Sequence, residues 1–490
     1  MQLKELLSGY EYRDISGVEL IDTEVLGITS DSRKVGPGFL FGALPGENVD
    51  GYDFIMDAVN AGAVAVLTSN NTPFKMKINP SVCFISDPNP RKRYAKMVGS
   101  FYKQQQPQHV VAVTGTNGKS SVAEFTRQIW QICDRPAASI GTLGLVAPWG
   151  TEGGYLTTPD PIELHKTLVR LDNGGIEHVV IEASSHGLSQ FRLDGINVEI
   201  AAFTNFSRDH LDYHKTMESY FNVKRRLFTE VLNPDGVAVI NSDDKMAVKL
   251  SKILKKRNIN SIDFGKNAND VILENIEAFP HGQRLSLSVF GRAYNLMLPL
   301  IGNFQSMNAL CALAIVIASG LNPEMATRAL SKLQSVKGRM ELVACTVNDS
   351  RIFVDYAHTP DALENVLNSL RAHTKNKLKI VFGCGGNRDH GKRPKMGKIA
   401  TQLADEVIIT DDNPRYENAA QIRAQIKSAS PGAIEIADRM DAIATAVKSL
   451  ATGDSLVVAG KGHEKGQIID GAEIPFDDVK AVKSVVRGNL

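Results

Sequence analysis

Short apolar runs recur along the chain, most followed by a stretch whose apolar residues return every three or four positions. Runs of about four to eight apolar residues bounded by Gly, Pro, Asn or Asp predict buried strands, and the 3.6-residue rhythm predicts helices. EVLGITSDSR, GFLFGAL, the amphipathic FIMDAVNAGA and VAVLTS read as a small α/β unit. It ends near residue 88, where DPNPRKR brings Pro and charge. A second unit opens with HVVAVTGTNGKSS: strand VVAV, turn GTNG, then a helix through KSSVAEFTRQIWQIC. HVVIEAS, IAAFTNFS and GVAVINSDD continue the strands, and residues 262–300 (RLSLSVFG, YNLMLPL) alternate as an antiparallel patch. After SVKGRMELV, a third unit presents IFVDYAH, LKIVFGCGG, DEVIITDD and SLVVAGKG, with helical patterns between them. Such alternation predicts an α/β chain with doubly wound, mostly parallel sheets. The expected domains are 1–88, 89–336 and 337–490, in keeping with 490 residues at roughly 100–200 per domain.

Composition narrows the class. With 43% hydrophobic and 22% charged residues the chain is of globular type, which excludes disordered and fibrous proteins. The net charge of +1 provides no general field for nucleic acid or an anionic membrane. Five Cys lie far apart with no CxxC pair, which suits a reducing compartment. MQLKELLSGYEYRD has charges where a signal peptide needs an apolar core, and no run of about 18 apolar residues predicts a membrane span. A cytoplasmic monomer acting on small molecules, with no nucleic acid partner, is expected.

The sharpest local signal is Val110–Ser121, VVAVTGTNGKSS. Gly115 and Gly118, with Thr116 and Asn117 between them, let backbone N–H groups approach phosphate oxygens. The helix start adds free N–H groups and the positive end of its dipole. Lys119 would neutralise the terminal phosphates, and the hydroxyl of Ser120, followed by Ser121, would serve Mg²⁺. The loop is shorter than GxxxxGK[ST], because Val113 stands where the first Gly belongs. An ordinary strand-to-helix turn with a chance GKS is the alternative. Glu182, closing HVVIEA at a strand's C-terminal end, is the candidate metal carboxylate, against a surface Glu. NFSRDHLDYHK crowds acids, an Arg and two His after a strand, so His210 or His214 could bind a metal, though lone His residues are more often structural.

Together TGTNGKSS, IEASSHGL, NFSRDHLDYH and DYAHTPDALE resemble the Mur ligases, ATP-dependent enzymes that form amide bonds in peptidoglycan synthesis. The likeness runs through all three inferred domains. It implies a UDP-binding N-terminal domain, a central P-loop ATPase domain and a C-terminal Rossmann-like domain. It also implies addition of meso-2,6-diaminopimelate to UDP-N-acetylmuramoyl-L-alanyl-D-glutamate through an acyl phosphate, with ATP and two Mg²⁺ ions. The motif behind that amine is DNPR, Asp412, Asn413, Pro414 and Arg415. Diaminopimelate carries one carboxylate more than lysine, and an Arg fork grips a carboxylate with two hydrogen bonds. With lysine that guanidinium would lack its partner, at a cost of roughly 1–3 kcal/mol or more. Without the resemblance, DNPR reads as an Asn-Pro turn bearing a solvated Arg.

The remaining roles follow from the resemblance alone. Arg388, Gly460 and Glu464 would complete the diaminopimelate pocket. Asn303, Arg339, Asp355 and His358 would contact ATP. Ser30, Ser32, Glu47, Asn48 and Val49 would hold the UDP end, and Thr157, Thr158, Ser184, Gln190 and Arg192 the muramoyl dipeptide. One ion would sit with Ser120 and Glu182, the other with His210 and Lys224. An ammonium cannot ligate a metal, so the family's carbamoylation of lysine is implied at Lys224, with Arg225 and Arg226 depressing its pKa if they face it. An L-lysine-adding homologue and a folylpolyglutamate synthetase-like ligase are the alternatives within the class. Outside it stand an NTPase that switches partners and a non-catalytic nucleotide binder.

Overall fold

The computed structural model describes residues 1–8, 15–16, 21–46, 49–69, 81–153, 156–279, 281–346 and 348–488. The chain packs as two compact units. The first comprises Met1–Ala112, Pro136–Ala201 and Val223–Gly236; the second comprises Val113–Arg135, Ala202–Asn222 and Val237–Leu490. Residue 88 falls between the strand Cys83–Asp87 and the helix Pro90–Phe101, and residue 336 between the turn Leu330–Lys332 and the strand Glu341–Cys345.

In the first unit, Gly27–Thr29, Phe39–Gly42, Ala63–Ser69 and Cys83–Asp87 form a parallel sheet, edged by the antiparallel pair Ile15–Ser16. Successive side chains of a strand point to opposite faces, and here both faces are filled. Leu40, Ala65 and Leu67 pack with Leu6, Met97 and Val98, while Phe41 and Val66 pack with Ile55 and Ala58. That double burial explains why these strands read as continuous apolar runs. The same unit holds the strand order His178–Glu182, Ala137–Gly141, Gly144–Ala147 and Gly150–Glu152. Its last three strands pair antiparallel.

In the second unit, Asn260–Gly265 pairs parallel with Leu232–Asn241 and Val271–Phe279. The antiparallel patch starts only with Val271–Phe279, continuing through Gly282–Val289 and Arg292–Leu298. The helix Lys119–Ile132 appears where the 3.6 rhythm placed it. Beside it runs Asn303–Ala318, whose residues Ala309–Val316 are wholly buried, so no polar face interrupts its sequence. A six-stranded sheet follows, ordered Glu341–Cys345, Arg351–Asp355, Ser455–Ala459, Leu378–Phe382, Glu406–Ile409 and Ile434–Glu435. All its pairs are parallel except the edge strand Glu341–Cys345. Ile380 and Val457 face one core, Val381 and Val458 the other. The fold is mixed α/β, as the alternation predicted. Among the described residues no helix is long and apolar enough to cross a membrane.

Candidate functional site

The strand His109–Thr114 delivers the chain into the loop Gly115–Gly118, and the helix starts at Lys119. Gly115 stands at φ +152° and Gly118 at φ +88°, a region closed to most side chains. Space is closed as well: a Cβ on Gly115 would overlap Thr204 Oγ1, and one on Gly118 would overlap Asn308 Oδ1. The loop is braced from several elements. Thr116 N donates to Asn205 O at 2.9 Å, and Asn117 N donates to Asn205 Oδ1 at 2.9 Å. Asn117 Nδ2 donates to Asp361 Oδ2 at 2.8 Å, and Ser207 Oγ reaches the same oxygen at 3.1 Å. Lys119 Nζ donates to the loop's own carbonyls, Gly115 O at 3.0 Å and Thr116 O at 2.9 Å. Arg339 Nη2 donates to Ser120 Oγ at 3.0 Å, and its guanidinium lies 4.4 Å from the Tyr356 ring centroid.

A cavity of about 450 Å³ opens beside this loop. Asn117, Gly118 and Ser121 line it, as do Asn303, Arg339, Asp355 and His358. The four distant residues expected at the nucleotide therefore meet the phosphate loop at one cavity of the second unit. Asp355 Oδ2 accepts from Met340 N at 2.6 Å and Oδ1 from Ala357 N at 2.7 Å. Burial nevertheless pushes its pKa up to about 6. Burial pulls His358 down to about 4, with the Lys392 charge adding to the effect, so the imidazole is neutral at pH 7.

The second cluster lies on the loops at the C-terminal ends of the six-stranded sheet, where α/β proteins bind ligands. Asp412 and Asn413 are buried, and Asn413 Nδ2 donates to Glu464 Oε2 at 2.9 Å. Gly460 N donates to Asp355 O at 3.1 Å. Pro414 O accepts from Glu417 N at 3.0 Å. Wholly buried Lys461 reaches both Asn413 Oδ1 and Glu464 Oε2 at 2.9 Å. Burial opposes ionisation of Asp412, but Lys461 and Arg439 hold its pKa below the usual carboxylate range. Arg415 donates Nη1 to Gly386 O at 2.9 Å, and Arg388 donates Nη1 to Asn387 O at 3.2 Å. Among the described residues neither has a carboxylate within ion-pair distance. Burial, then the charge of Arg388, lowers the pKa of Arg415. The charges of Asp412 and Glu464 oppose that shift in part.

A third network belongs to the first unit. Glu182, 2% exposed, accepts from Thr142 N at 2.8 Å and from Thr142 Oγ1 at 3.1 Å. Thr142 Oγ1 also meets Thr157 Oγ1 at 3.3 Å. Thr158 Oγ1 donates to Glu182 O at 2.6 Å and lies 3.0 Å from Ser184 Oγ. Ser184 caps the helix Ser185–Ser189 through Gly187 N. Arg192 donates to Thr158 O at 2.6 Å and to Gln190 Oε1 at 2.7 Å. The expected dipeptide residues are thus one hydrogen-bonded set that includes the expected metal carboxylate. Ser30 is exposed, Ser32 half-buried and Val49 exposed. Glu47 and Asn48 lie outside the described residues.

Lys224 is 1% exposed in the helix Met217–Arg226, directly before a π-helical turn, Leu227–Val231. Its arginine neighbours do not attend it: Arg225 is exposed. Arg226 pairs with Asp194 Oδ1 at 2.7 Å and lies 4.1 Å from the Phe191 ring centroid. One helical step turns adjacent side chains to different faces, so sequence neighbours rarely share a partner. In the second unit His210 Nε2 lies 3.4 Å from Asp209 Oδ2, and buried His214 packs against Tyr220 at 5.1 Å. No group of three or more His, Cys, Asp or Glu is placed to hold a metal among the described residues. Mg²⁺ commonly takes one or two carboxylates, substrate phosphates and waters. The hard oxygens of Ser120 and Glu182 are donors of that kind.

Three family profiles match successive parts of the chain: "Mur ligase family, catalytic domain" over residues 24–106, "Mur ligase middle domain" over 113–316, and "Mur ligase, glutamate ligase domain" over 338–462. A protein of Rhizobium meliloti (strain 1021), named UDP-N-acetylmuramoyl-L-alanyl-D-glutamate–2,6-diaminopimelate ligase, is 48% identical over 465 residues, 95% of each chain. The chain belongs to the Mur ligase family. A second relative of that name, from Zymomonas mobilis subsp. mobilis (strain ATCC 31821 / ZM4 / CP4), is 48% identical over 469 residues, again 95% of each chain. A solved structure of a protein so named aligns over 100% of this chain and 99% of its own, at 33% identity and a TM-score of 0.71.

Several residues of this Mur ligase escaped the sequence reading. Thr204, Asn205, Asn308 and Asp361 shape the phosphate loop from distant segments, and no local pattern marks them. Thr142 closes on Glu182 in the same way. Lys461 was findable: it stands in AGKGHE between two expected residues, directly after the buried strand Ser455–Ala459, where a cation drawn inward calls for a partner.

Proposed function

We propose that the chain is an ATP-dependent ligase that joins meso-2,6-diaminopimelate to the D-glutamate of UDP-N-acetylmuramoyl-L-alanyl-D-glutamate. The observation that carries this reading is the Arg388–Arg415 pair, two guanidinium groups with no carboxylate within ion-pair distance among the described residues, beside a cluster that offers Asp412 and Glu464 to an ammonium. A diamino diacid supplies both charges, and lysine supplies one carboxylate fewer. The relatives' names support the same substrates.

In this reading the γ-carboxylate of D-glutamate attacks the γ-phosphorus of ATP, giving an acyl phosphate and ADP. The amine then attacks the acyl carbon, and phosphate leaves as the amide forms. Two anions must meet in the first step, so positioning and charge neutralisation dominate. Lys119 swings from its loop carbonyls to the phosphates, the loop N–H groups cradle them, and Arg339 holds the Ser120 hydroxyl. Asn303, Asp355 and His358 fix the nucleotide, while Thr157, Thr158, Ser184, Gln190 and Arg192 carry the dipeptide. Ser30, Ser32, Glu47, Asn48 and Val49 hold the UDP end. Mg²⁺, held through Ser120 and Glu182, would draw charge from the phosphates. Residues His210 and Lys224 would serve a second ion, after the Lys224 amine adds CO₂ and releases a proton to become a carbamate. Functional segments 1–88, 89–336 and 337–490 would take the nucleotide-sugar, ATP and the amino acid, in cytoplasmic precursor synthesis for wall growth and division.

The decisive assay combines purified chain, ATP, Mg²⁺ and UDP-muramoyl dipeptide with meso-diaminopimelate or L-lysine. A ligase releases phosphate only when dipeptide and amine are both present. Turnover with meso-diaminopimelate should far exceed that with lysine; equal turnover defeats the substrate assignment.

A further inference from the structure

The turn that carries Asp412–Arg415 leans on a hairpin, Gly466–Ile469 paired with Ala472–Pro475, none of whose residues has a role above. Gln467 Nε2 donates to Asp412 O at 2.6 Å. Ile468 N donates to Asn413 Oδ1 at 3.0 Å. Arg415 N donates to Ile468 O at 2.9 Å, and Asp470 N donates to Arg415 O at 2.6 Å. Both backbone polar groups of Arg415 are therefore satisfied by the hairpin. That matters because Arg415 stands at φ +57°, a conformation a long side chain keeps only when its surroundings over-determine it. If φ relaxed, the Cα–Cβ direction would swing and carry the guanidinium away from Arg388. The hairpin itself is stiff. Its two-residue turn, Asp470–Gly471, has φ +49° and +81°, the type I′ pattern that matches strand twist.

We infer that this hairpin, acting through Gln467, is a positioning element that sets how sharply the chain separates meso-diaminopimelate from lysine; the inference rests on the ligase reading above. Gln467 acts through the backbone of the turn. It fixes the carbonyl of Asp412 and so the path of the turn up to Arg415. Its side chain is half-buried, so replacing it leaves the paired hairpin backbone in place.

The test uses the full chain with Gln467→Glu, which keeps the shape but loses the donor, Gln467→Met, and Gln467→Lys, which restores a donor of similar reach. KM and kcat are measured for both amines and for ATP, with thermal melting alongside. Losing one hydrogen bond corresponds to about three- to ten-fold. KM for meso-diaminopimelate should rise by that factor in the Glu and Met variants, with kcat and the ATP KM unchanged. The meso-diaminopimelate/lysine ratio of kcat/KM should fall in step, and Gln467→Lys should recover it. An unchanged ratio, or equal losses on both amines, overturns the inference. A wild-type chain that does not prefer meso-diaminopimelate defeats the ligase reading instead.

Discussion

The cavity beside the phosphate loop and the arginine cluster around Asp412–Arg415 belong to the same unit, yet they handle charge in opposite ways. At the cavity, burial drives titratable groups toward neutrality: Asp355 is raised to about 6 and His358 lowered to about 4. Lys119, at the phosphate loop beside it, donates to the backbone carbonyls of Gly115 and Thr116. In the arginine cluster ions are paired instead: Lys461 Nζ lies 2.9 Å from Glu464 Oε2, and Arg439 Nε 2.7 Å from Asp478 Oδ1. Among the described residues Arg388 and Arg415 have no carboxylate within ion-pair distance. A triphosphate brings its own charge and its own cation, so its cavity needs shape and N–H groups more than fixed ions. An amino acid is recognised by where its charges sit, so its pocket must hold fixed charges of both signs.

The largest effect should come from removing the ammonium of the phosphate loop. Lys119→Ala should lower kcat by more than about 10²-fold, the scale of one preorganised electrostatic contact. The loss should be equal with either amine, because the phosphate loop does not see the amine. A loss confined to meso-diaminopimelate would erase the separation of roles. Steady-state kinetics with both amines measures it.

Next comes the pocket. Arg415→Asn removes the guanidinium while keeping a residue that tolerates positive φ. Efficiency with meso-diaminopimelate should fall about 10- to 100-fold, as for loss of a charge-assisted contact. The ATP KM and the weak turnover with lysine should not move. If lysine turnover falls equally, Arg415 supports the pocket rather than reading the substrate.

The two regions were not equally legible in the sequence. TGTNGKSS announces the phosphate loop because its chemistry is local: strand, glycines, Lys and helix start lie within a dozen residues. Its braces are invisible there, since Asn205 and Asp361 come from 88 and 244 residues away. DNPR and AGKGHE could be placed on loops after strands, but the left-handed backbone of Arg415 and the hairpin beneath it are tertiary facts. Periodicity reports that a side chain is buried, not what it meets. That is why Arg226 could be imagined beside Lys224 when Asp194 holds it. The parallel sheets were readable for the complementary reason, that burial on both faces leaves continuous apolar runs.

The smallest expected effect tests whether burial, rather than a partner, keeps His358 neutral. His358 has a folded pKa of about 4 against roughly 6.5 unfolded. The unfolded chain therefore binds more protons below pH 6.5, and the contribution of a neutral His358 to stability, complete above that value, is lost as pH falls toward 4. Between pH 7.5 and 5.5 the loss is about 1 kcal/mol. Asp355 works against it: its folded pKa near 6 exceeds the usual carboxylate value, so its contribution is complete at low pH and fades as pH rises through 6. The wild-type chain should show only the small difference of the two. Comparing it with His358→Asn by denaturant melts at pH 7.5 and 5.5 isolates the histidine. The variant should lose about 1 kcal/mol less on acidification than the wild type. An identical pH slope in the two chains would mean that His358 is solvated in the folded state. The cavity would then be no drier than the pocket, and the contrast between them would reduce to the arginines alone.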